Sequence, residues 1–245
     1  CYSGTAAEQY ARDNGFMCIL LDTGNVIEKG EPTAAADDRF TCEEKGEKCA
    51  VKKFKDIKSA DGDPNHSGIE FCLDNGIMNG TGTDTFSPEN TITRAQFATM
   101  FYRLAGQPEC SEKTKFTDLK QDWYKKAVAW ASSNGIINGT GSNTFSPDEV
   151  ITREQIATIF YRYAKSRGLD VSVGESIAEG LQTYNDYTDI ADYAKTPMCW
   201  CFDNNVMFIH SVNGYEYAIY PKVAPSRADT ATMFRKLDYV LKHQD

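Results

Sequence analysis

Eight cysteines, three histidines and three recurrent arginines are the residues of this chain best suited to chemistry, and their spacing sorts them. The cysteines stand at 1, 18, 42, 49, 72, 110, 199 and 201. No C-x-x-C pair occurs, and His66, His210 and His243 are scattered, so the spacing argues against zinc. An even cysteine count in a chain of 245 residues predicts disulfides made in an oxidising compartment. Cys199 and Cys201 flank Trp200 and cannot easily bond each other, so each is expected to reach elsewhere. Asp61, Asp63 and Asn65 hint at a calcium loop. His66 stands where such a loop needs glycine and Cys72 where it needs glutamate, so a solvated acidic turn is expected. There is no G-x-S-x-G, H-E-x-x-H or P-loop, and nothing in the sequence places a cysteine beside a histidine as a nucleophile pair. The chain therefore reads as a non-enzyme with no cofactor and no metal. Arg94, Arg153 and Arg227 are different: each follows a proline (Pro88, Pro147, Pro221) by six residues and opens an apolar-periodic stretch.

Those arginines belong to a repeat. Residues 76–103 and 135–162 are nearly the same text, with Gly76 to Gly135 and Arg94 to Arg153 both 59 apart. A fixed period of this size means stacked supersecondary units, none able to bury its apolar face alone. A third unit is worn. Its head is read as Tyr187-Thr188-Asp189-Ile190, against Phe54-Lys55-Asp56-Ile57 and Phe116-Thr117-Asp118-Leu119. Its loop from Phe208 to Ile219 spans 11 residues where Asn138 to Phe145 spans 7. The predicted organisation is a small α/β cysteine-containing segment over 1–50, repeat one over 51–109, repeat two over 110–168 and a degenerate repeat three over 184–245.

Each repeat parses as helix, loop, helix. In repeat two the first helix is predicted from Trp123 to Asn134, on an apolar stripe of Ala127, Val128, Trp130 and Ala131. Gly135 ends it in a left-handed cap, as Gly76 does in repeat one and Asn205 in repeat three. Trp130 and Trp200 are equivalent and read as core. The loop Gly139-Thr-Gly141-Ser-Asn-Thr-Phe145 turns tightly, with Phe145 and Pro147 as its plug. Thr152 with Gln155 opens the second helix as a capping box; Thr93 with Gln96 repeats it and Ser226 with Asp229 is a weaker version. Second helices burying Phe97, Met100, Phe101, then Ile156, Ile159, Phe160, then Met233, Phe234 and Leu237 can share one central bundle. Within 1–50, residues 5–15 read as a short helix, Phe16 to Leu21 as a strand and Val26-Ile27 as its partner. Residues 166–185 read as linker.

The combination Phe116-Thr-Asp118, Trp123, Gly135-Ile-Ile, Gly139, Thr144-Phe145-Ser-Pro147 and Ile151-Thr-Arg153-Glu154 resembles the S-layer homology domain. The likeness covers about residues 51–242, closely in repeats one and two and weakly in repeat three. It implies a mainly α fold: three helix-loop-helix repeats in a pseudo-threefold trimer around a central three-helix bundle, plus the small disulfide-tied N-terminal segment. It implies a secreted, non-enzymatic module that anchors a Gram-positive surface protein by binding secondary cell-wall polysaccharide, often pyruvylated, in grooves between repeats. By the same resemblance Arg94, Arg153 and Arg227, with Asp56, Asp118 and Asp189, become candidate glycan-binding residues. A guanidinium at a helix start could take a ketal carboxylate in a forked pair, helped by free N–H groups there. Trp123 could stack on a pyranose or lie in the core. Gly80, Gly82, Gly139 and Gly141 could let backbone approach the sugar, or simply satisfy positive φ. The arginines could also only bridge to neighbouring aspartates.

A net charge of −9 and a pI near 4.9 argue against a nucleic-acid partner. No apolar run approaches membrane length, so no membrane insertion is expected. A chain opening at Cys1 without a signal peptide reads as a processed or trimmed form. The main partner expected is the cell-wall polysaccharide. An alternative is a scaffold that has lost glycan binding and meets an unknown protein partner through the N-terminal segment. An enzyme acting on glycans is the remote third reading, because carboxylate pairs are defined in space and not in sequence.

Overall fold

The computed structural model describes residues 49–57, 65–111, 113–211 and 217–243, together with the backbone of two short strands nearer the N-terminus. Those strands, β1 (Cys18–Ile19) and β2 (Val26–Ile27), pair antiparallel, where the sequence predicts a strand and its partner. The helix expected at 5–15, the acidic turn from Asp61 and cysteines 1 and 42 lie outside the described residues.

The rest is mainly helical. A 3-10 turn at Ala50–Lys53 precedes α1 (His66–Asp74); α2 (Arg94–Leu104), α3 (Asp122–Ser133) and α4 (Arg153–Ser166) follow. Then come α5 (Glu175–Gln182), two 3-10 turns at Tyr187–Asp189 and Asp192–Ala194, α6 (Lys195–Asp203), the hairpin β3 (His210–Ser211) and β4 (Tyr217–Ala218), and α7 (Arg227–His243). Helix α5 lies inside the stretch read as linker. It is eight residues long, contains Gly180 and turns a short stripe of Ile177, Ala178 and Leu181 to the core, with Leu181 alone fully buried. Two turns give too little periodicity to stand out from a glycine-bearing linker.

The first helices α1, α3 and α6 end alike. Gly76 (φ 64), Gly135 (φ 68) and Asn205 (φ 53) take the left-handed conformation. The next residue folds back: Ile77, Ile136 and Val206 donate N–H to Cys72, Ala131 and Cys201 at 2.8, 2.9 and 2.8 Å. Those isoleucines and the valine are buried, so the cap is held by both a hydrogen bond and an apolar contact.

Helices α2, α4 and α7 meet through Phe97, Phe160 and Phe234. Their ring centroids lie 5.9, 5.3 and 5.6 Å apart pairwise, and all three are fully buried. Burying a side chain of this size contributes about 1.5–3 kcal/mol. Each of these helices also packs on the first helix of the following repeat: α2 on α3, α4 on α6, and α7 back on α1. The last contact needs Gly68, because a Cβ there would meet the Thr232 backbone at 2.5 Å. Trp130 and Trp200 are core, as expected.

The disulfide expectation finds no support among the described residues. Among them Cys72, Cys110, Cys199 and Cys201 form no disulfide. Cys72 and Cys201 occupy the core position that is Ala131 in repeat two, and burial drives both thiols far above their ordinary pKa. Their Sγ atoms donate weakly to Ala231 and Ala157 carbonyls, at 3.7 and 3.8 Å, across the α1–α7 and α6–α4 contacts. Here cysteine is a small apolar core residue, a use that counting cannot distinguish from a bridge.

Candidate functional site

The site begins at the first turn of α2, α4 and α7. Thr93 caps α2 in a reciprocal box, accepting from Gln96 N–H at 3.3 Å while its own N–H donates to Gln96 Oε1 at 2.9 Å. Ser226 and Asp229 form the same pair, and in repeat two Thr152 N–H donates to Gln155 Oε1 at 3.4 Å. The next two N–H groups are not free for a ligand. Arg94 and Ala95 donate to Glu149 and Pro147 carbonyls, Arg153 and Glu154 to Val223 and Pro221, and Arg227 and Ala228 to Asn90 and Pro88, all at 2.8–3.0 Å.

The three arginines are buried, and each guanidinium reaches into the loop of the following repeat. Arg94 Nε and Nη2 donate to Phe145 and Asn138 carbonyls at 2.9 Å each. Arg153 does so to Ile219 and Phe208 at 2.9 and 2.6 Å, and Arg227 to Phe86 and Asn79 at 3.0 and 2.8 Å. Burial lowers all three pKa values, Arg153 to about 10. Two edges of every fork are therefore spent on backbone carbonyls. Their matched targets show that the loop register read from sequence, Asn138 with Phe208 and Phe145 with Ile219, is the structural one.

The aspartates work from the other side of the same loops. The Asp56 carboxylate accepts from Phe86 and Ser87 N–H, the shortest bond being 2.6 Å, and Asp118 from Phe145 and Ser146, at 2.8–3.0 Å. Partial burial opposes ionisation, but the N–H donors win and hold both carboxyls below the ordinary range. In repeat three the partner of Ile219 and Tyr220 is Asp186, at 3.1 and 2.7 Å. Asp189 is exposed and holds no such loop. The head of repeat three is thus Tyr184-Asn185-Asp186, three residues earlier than the alignment on Asp189. The clamped residues Ser87, Ser146 and Tyr220 all have positive φ (59, 56 and 53). The carboxylate offsets a left-handed strain of about 1–2 kcal/mol.

Of the loop glycines none has positive φ, which corrects that reading. Gly80 and Gly139 are required because a Cβ would strike the Phe54 or Phe116 ring and the loop's own carbonyls. Gly82 and Gly141 leave room: a Cβ would sit 3.5–3.6 Å from threonine side chains.

Trp123 is 52% exposed, which decides against the core reading. Its Nε1 donates to Gln121 Oε1 at 2.7 Å and its ring stands edge-on to Tyr124. Repeat three has an equivalent that sequence reasoning missed. Asp122-Trp123-Tyr124-Lys125 closes on itself through a 2.7 Å Lys125–Asp122 pair, and Asp192-Tyr193-Ala194-Lys195 repeats it through a 2.7 Å Lys195–Asp192 pair. Tyr193 is 54% exposed. The Trp130–Trp200 match already carried the offset that would have found it.

Around Tyr193 charges from three repeats converge. The buried Glu154 accepts from Ala191 N–H at 3.0 Å, Tyr193 OH at 3.2 Å and Lys222 Nζ at 2.6 Å. Burial and then Glu154 push the Tyr193 phenol up to about 12, with Arg94 and Arg162 opposing. Arg162 is half-buried and makes no hydrogen bond or ion pair among the described residues. The arrangement can present an aromatic face beside a cation, the chemistry of a sugar carrying an anionic group.

Helical hairpins tied by buried arginines into the loops of their neighbours define a helical repeat protein. The S-layer homology domain model matches residues 53–98 and 115–157, so these two stretches are S-layer homology repeats. The chain is 29% identical over 86% of its length to "Exoglucanase XynX" of Acetivibrio thermocellus, covering 17% of that protein. It is 29% identical over 69% of its length to the "Surface-layer 125 kDa protein" of Lysinibacillus sphaericus, covering 13% of it. Over 34% of its length it is 36% identical to a "Cellulosome-anchoring protein" of Acetivibrio thermocellus, covering 20% of it. The chain thus spans a fifth or less of these relatives. S-layer homology domains are cell-wall anchoring modules and not catalytic ones, and the matches indicate a secreted, cell-wall-attached protein. Among the described residues no helix is long and apolar enough to cross a membrane.

Proposed function

We infer that this chain holds its parent protein on the cell wall by binding an acidic wall polysaccharide, pyruvylated or otherwise carboxylated, in grooves between repeats. The observation that carries this reading is the Tyr193 cluster: an exposed ring beside a half-buried Arg162 with no ion-pair partner among the described residues. A carboxylate bound there would give that guanidinium the forked partner it lacks, while the ring stacks on a pyranose. Lys222 and Trp123 extend the same chemistry along the rims. Arg94, Arg153 and Arg227 contribute charge and fix the groove walls, and Asp56, Asp118 and Asp186 shape the loops. The finer domain division, with repeats over 51–109, 110–168 and 184–245, is part of this proposal.

The test is calorimetry with purified wall polysaccharide. The wild-type chain should bind, and Arg162→Ala and Tyr193→Ala should each weaken binding by roughly tenfold, the loss of one good polar or stacking contact. Chemical removal of the ketal carboxylates should abolish the Arg162 effect. An intact fold that binds neither walls nor polysaccharide would overturn the reading.

A further inference from the structure

We propose that Cys49, His66 and Glu70 form a binding site for a single zinc ion at the entrance to repeat one. The three are buried, and their ligating atoms all lie within 4.8 Å of one another. Cys49 sits just before the 3-10 turn Ala50–Lys53, His66 is the first residue of α1, and Glu70 follows it by four. Four residues is one helical turn, so His66 and Glu70 share a face of α1, and that face is turned toward the cysteine. Contact between the 3-10 turn and α1 brings the pieces together.

The chemistry fits zinc better than a hard cation. A thiolate, an imidazole and a carboxylate are ordinary zinc ligands, whereas calcium and magnesium want oxygen donors throughout. The ligand set carries two negative charges when thiolate and carboxylate are ionised, matching the ion. The Cys49 Sγ to His66 Nε2 separation is 3.5 Å. Ligands about 2.3 and 2.0 Å from one zinc ion span roughly 3.5 Å across a tetrahedral angle, so this edge is already at its metal-bound length. Three protein ligands leave the fourth tetrahedral position to a water molecule, and burial shields the ion from bulk solvent. The ion would fasten the chain entering repeat one to the helix that packs on α7. Sequence spacing conceals the site: cysteine and histidine are 17 residues apart, and the glutamate belongs to no zinc-finger pattern.

Cobalt substitution tests this in the full chain, prepared reduced and metal-free. One Co²⁺ per chain should bind and produce a sulfur-to-cobalt charge-transfer band with tetrahedral visible bands, and Zn²⁺ should displace it. Cys49→Ser should lose the charge-transfer band. Glu70→Gln, nearly isosteric and so a safeguard if the serine variant fails to fold, should keep the band but weaken affinity more than about 100-fold, exceeding the loss typical of an outer-shell partner. Zinc should also protect Cys49 from alkylation. The proposal is overturned by any of three results: no charge-transfer band in the folded wild type, a band unchanged in Cys49→Ser, or Cys49 found in a disulfide in protein recovered from the secreting cell.

Discussion

Arg153 shows how a residue can be found from sequence and its work misjudged. Its position after Thr152 at a helix start was legible, and so was its recurrence at Arg94 and Arg227. What it holds was not, because its partners are the carbonyls of Ile219 and Phe208, and a backbone acceptor leaves no trace in side-chain identity. Removing the guanidinium strands two buried acceptors, at about 1–3 kcal/mol each. Arg153→Met should therefore destabilise the chain by about 3 kcal/mol in urea denaturation. Arg153→Lys should recover little, since a point charge cannot span both carbonyls. A loss below about 1 kcal/mol would mean the loop holds itself. The aspartates give a pH signature on the same scale. Asp56 and Asp118 have folded pKa values below their ordinary 3.8, so unfolded chains take up these protons first. Their contribution is fully present above that ordinary value and is lost as pH falls through the lower folded one. Acid unfolding below about pH 4 should accordingly be blunted in Asp118→Asn, which is less stable at pH 7 and titrates less. The Asp189 assignment went astray because Thr-Asp-Ile copies the motif's letters, while Asp186 occupies its place in space.

The loop is the element on which sequence gave most and structure corrected most. Its glycines, its aromatic plug and the capped helix after it were all legible, and Phe145 is fully buried as a plug should be. The separate reasons for the glycines were not legible, because a close approach by a side chain 23 residues upstream is a tertiary fact. Gly139 lies under the Phe116 ring; a Cβ at Gly141 would meet only the Thr144 side chain, at ordinary contact distance. Gly139→Ala should cost about 1–3 kcal/mol, the usual penalty of overpacking, and Gly141→Ala should be within about 0.5 kcal/mol of wild type. The pair of melting curves decides it: equal effects would show that backbone freedom, not the aromatic contact, sets the glycine requirement. The cysteines make the same point for helices. At Cys72 and Cys201 the helix asked for a small apolar residue, which Ala131 also supplies.

At the scale of the molecule the contacts run in a closed order. Repeat one is held by repeat two through Arg94, repeat two by repeat three through Arg153, and repeat three returns to repeat one through Arg227 and the α7–α1 face. In an open array, removing a terminal unit costs one interface. Here, removing residues 184–245 takes away two: the α4–α6 contact and the α7–α1 contact. It also strips Phe234 from the ring cluster with Phe97 and Phe160, and leaves Asn79, Phe86, Pro88 and Asn90 carbonyls without donors. The full chain should unfold in one cooperative transition across repeats one to three. The truncated chain should keep much of its far-ultraviolet helical signal, lose its sharp transition and bind a hydrophobic dye, the behaviour of secondary structure without fixed packing. Arg227→Met offers the gentler version: it should loosen hydrogen-exchange protection in repeat one as much as in repeat three. If truncation instead lowers the midpoint slightly and leaves cooperativity intact, the repeats are an open stack, and the return contact through α7 contributes little to holding it.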